Sequence, residues 1–134
     1  MDDHAPHLIS DELVSMAFTD MVDKLAKPGE HIQASLDPYK CHLLHMTLGV
    51  SGEVGELADA IKKHVMYDKP LDIDNVIEEL GDIEFYLEGI RQALNLNRNR
   101  ILNLNINKLL LGKNARYASG SYSNHQAQNR ADKK

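Results

Sequence analysis

From Leu43 to Val65 an apolar or small side chain returns every three or four residues, through Thr47, Val50, Val54, Leu57 and Ile61. The same spacing resumes at Ile73 and continues through Val76, Leu80, Ile83, Leu87, Ile90 and Leu94. That period belongs to helices with one apolar face. Between the two runs lies only Tyr67-Asp68-Lys69-Pro70-Leu71-Asp72, a turn, so the two helices are expected to be antiparallel neighbours. A chain with this pattern at its centre is bound to an all-α hairpin.

The flanking segments read the same way. Ser10 can cap a first helix through Leu13, Met16, Ala17, Met21 and Leu25, stopped by Pro28-Gly29. Residues 28–37 read as a connection, and Asp37-Pro38 is a favourable start for the long central helix, with Asp at the cap and Pro at the first helical position. Asn95 to Asn99 interrupts the pattern, and a fourth, Asn-rich helix is expected from about Arg100 to Leu111. The alternation Leu102-Asn103-Leu104-Asn105-Ile106 is the one stretch that a strand would also fit. After Gly112 the composition turns to Ser, Asn, Gln, Gly and Lys. The division expected is a single all-α domain over 1–118 with a polar arm or disordered tail over 119–134.

Length and charge narrow the classes. At 134 residues the chain has room for one core. No apolar run approaches the roughly 18 residues of a membrane span. The acidic start Met1-Asp2-Asp3-His4 lacks the basic and apolar regions of a signal peptide. The single cysteine, Cys41, excludes an internal disulfide and suits a reducing cytoplasm. The net charge of −5 is unevenly distributed: residues 1–97 carry 7 basic and 19 acidic side chains, residues 98–134 carry 8 basic ones against Asp132 alone. An acidic body disfavours nucleic acid as the main partner. The basic end could hold a polyanion or simply be solvated.

Two pairs of acids stand out: Glu53 and Glu56 on the first long helix, Glu79 and Asp82 on the second. Three residues apart, each pair lies on one helical face. At about 1.5 Å of rise per residue, Glu56 sits about 15 Å from the turn and Asp82 about 14 Å, so the pairs face each other at similar height. Glu53 and Glu56 lie off the apolar stripe, on a second face with His42, Gly49, Ala60 and Lys63, whereas Glu79, Asp82 and Tyr86 flank the stripe of their own helix. Four clustered carboxylates repel one another unless a cation lies among them. An all-oxygen donor set favours Mg²⁺, with Mn²⁺ as its substitute, over iron or zinc. Acid pairs at this spacing also occur on solvated helix faces, so spacing alone leaves a structural role equally open. Lys63 could likewise do no more than pair with Asp59 four residues earlier. Gly49, Gly52 and Gly55 each cost a helix interior about 1 kcal/mol, which calls for a close approach or a kink.

With these residues quoted, Gly-Glu-Val-Gly-Glu-Leu at 52–57 and Glu-Glu-Leu-Gly-Asp at 78–82, with Tyr86 four residues further on, the chain resembles the MazG-like all-α nucleoside triphosphate pyrophosphohydrolases. Residues 45–51, Asn107-Lys108-Leu109 and Arg116-Tyr117 extend the likeness, and Asn129-Arg130-Ala131-Asp132 is similar to phage-type members. The resemblance implies a four-helix MazG-like bundle assembling as a homodimer or homotetramer. It also implies Mg²⁺-dependent hydrolysis of a (deoxy)nucleoside triphosphate to the monophosphate and pyrophosphate. Glu53, Glu56, Glu79 and Asp82 would then be metal ligands, with Glu53 or Glu56 also taking a proton from the attacking water. Lys63, Lys108 and Arg116 would contact the triphosphate, and Tyr86 and Asn107 the sugar or base. With no Trp and two Phe, little aromatic surface exists to select a base.

Rival sites are weaker. Cys41, His42 and His45 have helical spacing, but Cys41 does not share a face with both histidines and no fourth zinc ligand is near in sequence. A di-iron bundle would need Glu-x-x-His on two helices, and Glu53 and Glu79 are followed instead by Glu56 and Asp82. No GxxxxGK loop occurs. A non-catalytic helical oligomerisation or nucleotide-sensing module is the alternative from another class.

Overall fold

The computed structural model describes residues 10–133, and for Ala131 only the backbone. The Met1–His4 segment therefore lies outside the described residues. The described residues fall into two compact units, divided between Asp37 and Pro38.

In the first unit, α1 (Asp11–Leu25) starts as its sequence directs, with the Ser10 hydroxyl accepting from the Leu13 N–H at 3.4 Å. Asp11 and Glu12 sit in its first turn and Lys24 in its last, each complementing the helix dipole. The segment expected to be a plain connection holds one short helix, α2 (Gly29–Gln33). Pro28 there ends one helix and begins another, because proline lacks the N–H that only a helix interior needs.

The second unit is built on α3 (Pro38–Tyr67) and α4 (Ile73–Ala93). The turn between them is held from both sides. Asp68 adopts the left-handed conformation with φ of 51°. The Nδ1 of His64 donates to the Lys69 carbonyl at 2.7 Å, and the Asp72 carboxylate accepts from the Asn75 N–H to cap α4. α3 and α4 then pack along their lengths.

The packed face of α3 overlaps the expected stripe in part, since Leu43, Val50 and Leu57 are half-buried. Met46 and Ala60 are buried, while Val54, Ile61 and Val65 of the apolar stripe are exposed. The face carrying Gly49, Glu53 and Ala60 therefore turns toward α4, because only small residues allow two helices to approach so closely. A Cβ on Gly49 would fall within the Tyr86 ring, and one on Gly89 would collide with the Met46 thioether. Gly52 and Gly55 have nothing within 4 Å of such a Cβ, so the close-approach reason holds for the first of the three glycines only.

α5 (Arg98–Ile106) is capped by the Asn97 side chain and runs into one π-helical turn over Asn107–Leu111. The alternating Leu102–Ile106 stretch is thus helical, and no strand occurs among the described residues. Beyond Gly112 the chain folds back on this turn: the Arg116 N–H bonds the Lys108 carbonyl at 3.0 Å and Tyr117 that of Leu109 at 2.8 Å. Residues 119–133, for which a disordered tail was one reading, contain α6 (Asn124–Asn129), capped by Ser123. Arg116 pins this segment, its Nε and Nη2 donating to the two Asp132 oxygens at 2.8 and 2.9 Å. No described helix is long and apolar enough to cross a membrane.

Candidate active site

α3 and α4 bring Glu53, Glu56 and Glu79 together, with one carboxylate oxygen of each within 4.8 Å of the others. Glu79 is 5% exposed, Glu53 is half-buried and Glu56 open to solvent. Burial raises the Glu79 carboxyl above the ordinary glutamate value, and the charges of Glu56 and Glu53 with a Glu53 hydrogen bond raise it further. Among the described residues no cationic side chain pairs with any of the three carboxylates. The oxygen-only donors suit a hard divalent ion such as Mg²⁺, which accepts carboxylate and water ligands. Among the described residues this is the one group of three or more potential ligands. Cys41, His42 and His45 do not form another.

Asp82 does not belong to the trio. It lies about one turn beyond Glu79 on α4 and is exposed. Tyr86, another turn on, is half-buried and packs edge-on against His45, with ring centroids 6.1 Å apart, and over Gly49. His45, Gly49 and Tyr86 thus form one wall near the acids.

The cationic candidates are placed less simply. Lys63 pairs with Asp59 at 2.8 Å, the modest alternative its spacing allowed, and Asp59, also held by Lys62, has its carboxyl lowered to about 2. Arg116 is held by Asp132 through Nε and Nη2, which leaves Nη1 as the nitrogen not used in that pair. Asn107 donates through Nδ2 to the Asn103 carbonyl at 3.0 Å and, like Lys108, lies exposed on the π-helical turn.

A cavity of about 490 Å³, with no counterpart among the expectations from sequence, lies further along α3 and α4 toward the turn, lined by Ala60, Lys63, Tyr67, Lys69, Asp72 and Asn75 among others. Its position follows from helical register. Ala60 and Lys63 lie four and seven residues after Glu56, and Asn75 and Asp72 four and seven before Glu79, so each set continues the acidic face of its own helix toward the turn. That double register was the available signal. At about 1.5 Å per residue its lining on α3 runs from about 6 Å beyond Glu56, at Ala60, to about 16 Å, at Tyr67.

A model of the MazG nucleotide pyrophosphohydrolase domain matches residues 42–109. The "Gene 37 protein" of Mycobacterium phage L5 is 32% identical to the chain over 87 residues, 61% of this chain and 75% of that protein. No solved structure matches.

Proposed function

We propose that this chain, which belongs to the MazG nucleotide pyrophosphohydrolase family, hydrolyses a nucleoside or deoxynucleoside triphosphate between its α and β phosphates, releasing the monophosphate and pyrophosphate. The observation that carries the reading is the Glu53–Glu56–Glu79 trio, three acids with one oxygen each within 4.8 Å of the others and no ion pair to a cationic side chain among the described residues. Glu53, Glu56 and Glu79 would hold Mg²⁺, and Asp82 would join them through a change of rotamer. When bound, the ion offsets phosphate charge and acidifies water. Phosphoryl chemistry otherwise asks a protein for positioning. Glu56, the most exposed of the trio, or Glu53 accepts the proton of the attacking water.

The 490 Å³ cavity supports a nucleotide as substrate, since it lies in line with the acids and falls in the size range of small-molecule sites. Lys63 and Lys108 are the phosphate contacts in this reading, Lys63 by exchanging Asp59 for phosphate. Tyr86 and Asn107 contact the sugar or base. A homodimer or homotetramer is also proposed. Val54, Ile61, Val65 and Met66 stand 40–72% exposed along α3, an apolar face of the kind that marks a protein interface. A free exposed Cys41 agrees with a cytoplasmic setting.

The test is incubation with a panel of NTPs and dNTPs plus Mg²⁺, scoring monophosphate and pyrophosphate. Absence of turnover, or release of orthophosphate alone, overturns the assignment; binding without metal-dependent turnover would instead favour a nucleotide-sensing module. Glu56→Gln should abolish turnover while helicity by circular dichroism is unchanged.

A further inference from the structure

The apolar side of α1 is uncovered. Every described residue from Ser10 to Asp37 is exposed, with Phe18 at 61% and Leu25 at 75%. A lone helix of 15 residues is marginal in water, so α1 needs packing on that side to hold its shape. At about 100° per residue, Val14, Phe18, Met21 and Leu25 fall on one stripe, at the alternating four and three spacing of a coiled-coil seam. Asp11, three residues earlier, is the same stripe's first position.

The helix also offers a receptacle for another helix. An open hollow of about 410 Å³ lies along it, lined by Ala17, Asp20, Met21, Lys24 and Leu25. The first four stand at i, i+3, i+4 and i+7, the corners of the hole that a knob from a facing helix fills. Ala17, the smallest of them, keeps the hole open.

Charge selects the facing helix and its direction. The first turn of α1 is acidic, with Asp11 and Glu12, whereas Lys24 in the last turn and Lys27 just beyond it are basic. A parallel copy would set Asp11 against Asp11 in the seam and Lys24 beside Lys24. An antiparallel copy brings the acidic end of each helix to the basic end of the other and opposes the two helix dipoles. An anionic lipid surface suits the helix poorly, because helices that lie on one carry Lys and Arg on the polar face, and here that face holds Glu12, Asp20 and Asp23.

We propose that α1 pairs antiparallel with α1 of a second copy of this chain, Phe18 of each entering the hollow of the other beside Met21, and Val14 of each meeting Leu25. The pairing uses none of the residues of the proposed reaction and none of the α3 face offered above as an interface. In this register the two copies of Asp20 lie within about 2 Å of each other along the axis, and the two copies of Leu13 about 20 Å apart.

Sedimentation equilibrium of the full chain over a concentration series tests the pairing. An association step is expected that Phe18→Glu weakens at least about thirtyfold, the loss of one dominant interface side chain. Phe18→Leu should retain that step, and Val65→Glu on α3 should leave it unchanged. Spin labels on Leu13→Cys or Asp20→Cys, each with Cys41→Ser, read the direction. Both positions lie outside the seam, and pulsed dipolar spectroscopy should give a longer separation for Leu13 than for Asp20. Equal separations mean a parallel pair and overturn the proposal. So would a monomeric chain, a step untouched by Phe18→Glu, or loss of the same step in Val65→Glu. Capture of a monomeric chain by phosphatidylserine vesicles, abolished by Phe18→Glu, would overturn it in favour of a lipid surface.

Discussion

Gly49→Ala isolates the contact that joins α3 to the wall of the active site. In an open helix this change stabilises by about 1 kcal/mol, because alanine has less backbone freedom to lose. Here the added Cβ would lie 2.5 Å from Cζ of Tyr86 and closer still to Cδ1 and Cε1. Carbon atoms prefer about 3.5–4.0 Å, so the ring must retreat by more than about 1 Å. Overpacking of this kind costs about 1–3 kcal/mol, which cancels or outweighs the helical gain. Gly81→Ala is the matched reference, since its Cβ meets nothing within 4 Å. The difference between the two variants removes the propensity term and leaves the collision, about 1–3 kcal/mol. Denaturant unfolding at fixed protein concentration reads it as a shift in midpoint at constant slope. In thermal melts the pair should separate by at least about 4 °C. With Tyr86→Ala in the background, Gly49→Ala should become as stabilising as Gly81→Ala, an interaction energy of the size expected for side chains in contact. If Gly49→Ala and Gly81→Ala stabilise equally with Tyr86 present, the close approach of α3 and Tyr86 is wrong.

Two further outcomes follow from the charged groups. Asp132 has its carboxyl held well below the ordinary aspartate value of 3.8, chiefly by the hydrogen bond from Arg116. A depressed carboxyl contributes stability that is complete above the unfolded value and is lost as pH falls toward the folded one. Hydrogen exchange should therefore show the 112–133 segment fully protected near neutrality and opening only in strong acid, and Asp132→Asn should open it at all pH values while α3 and α4 stay protected. Mg²⁺ at a hundredfold its dissociation constant should stabilise the folded chain by about 2.7 kcal/mol. Glu79→Gln should melt higher than the unsubstituted chain in EDTA, by relief of repulsion, and lose most of the Mg²⁺ increment; an undiminished increment would remove Glu79 from the site.

What the residues disclosed in advance was whatever depends on near neighbours. Ser10 and Asp72 announce their helices because a cap acts within three residues, and Lys63 with Asp59 is legible for the same reason. The meeting of Glu53, Glu56 and Glu79 was also accessible, since a short turn fixes the height of one helix against the other. The rotation of α3 about its axis was legible only in part: Leu43, Val50 and Leu57 of the apolar stripe are half-buried, but Val54, Ile61 and Val65 are not. Hydrophobicity favoured Val54, Ile61 and Val65, but packing density favoured Gly49 and Ala60, and the second prevailed because α4 offers Tyr86 and Glu79 at that contact. The Arg116–Asp132 clamp was hidden, for its partners are 16 residues apart and only the short, polar α6 lies between them. Asp82 fell outside the trio although its spacing from Glu79 equals that of Glu56 from Glu53, and its carboxylate is exposed.

The carboxylates that meet in the active site belong to one hairpin, with only 22 residues between Glu56 and Glu79. Sequence-local helical contacts of this kind form early and fast when a chain folds. The first event to shape the molecule therefore also drives three like charges into one place, before the C-terminal clamp can close. If the trio holds a divalent ion as proposed, that ion would relieve the opposition at its source and so act on the rate at which the chain folds as well as on the stability of the finished protein.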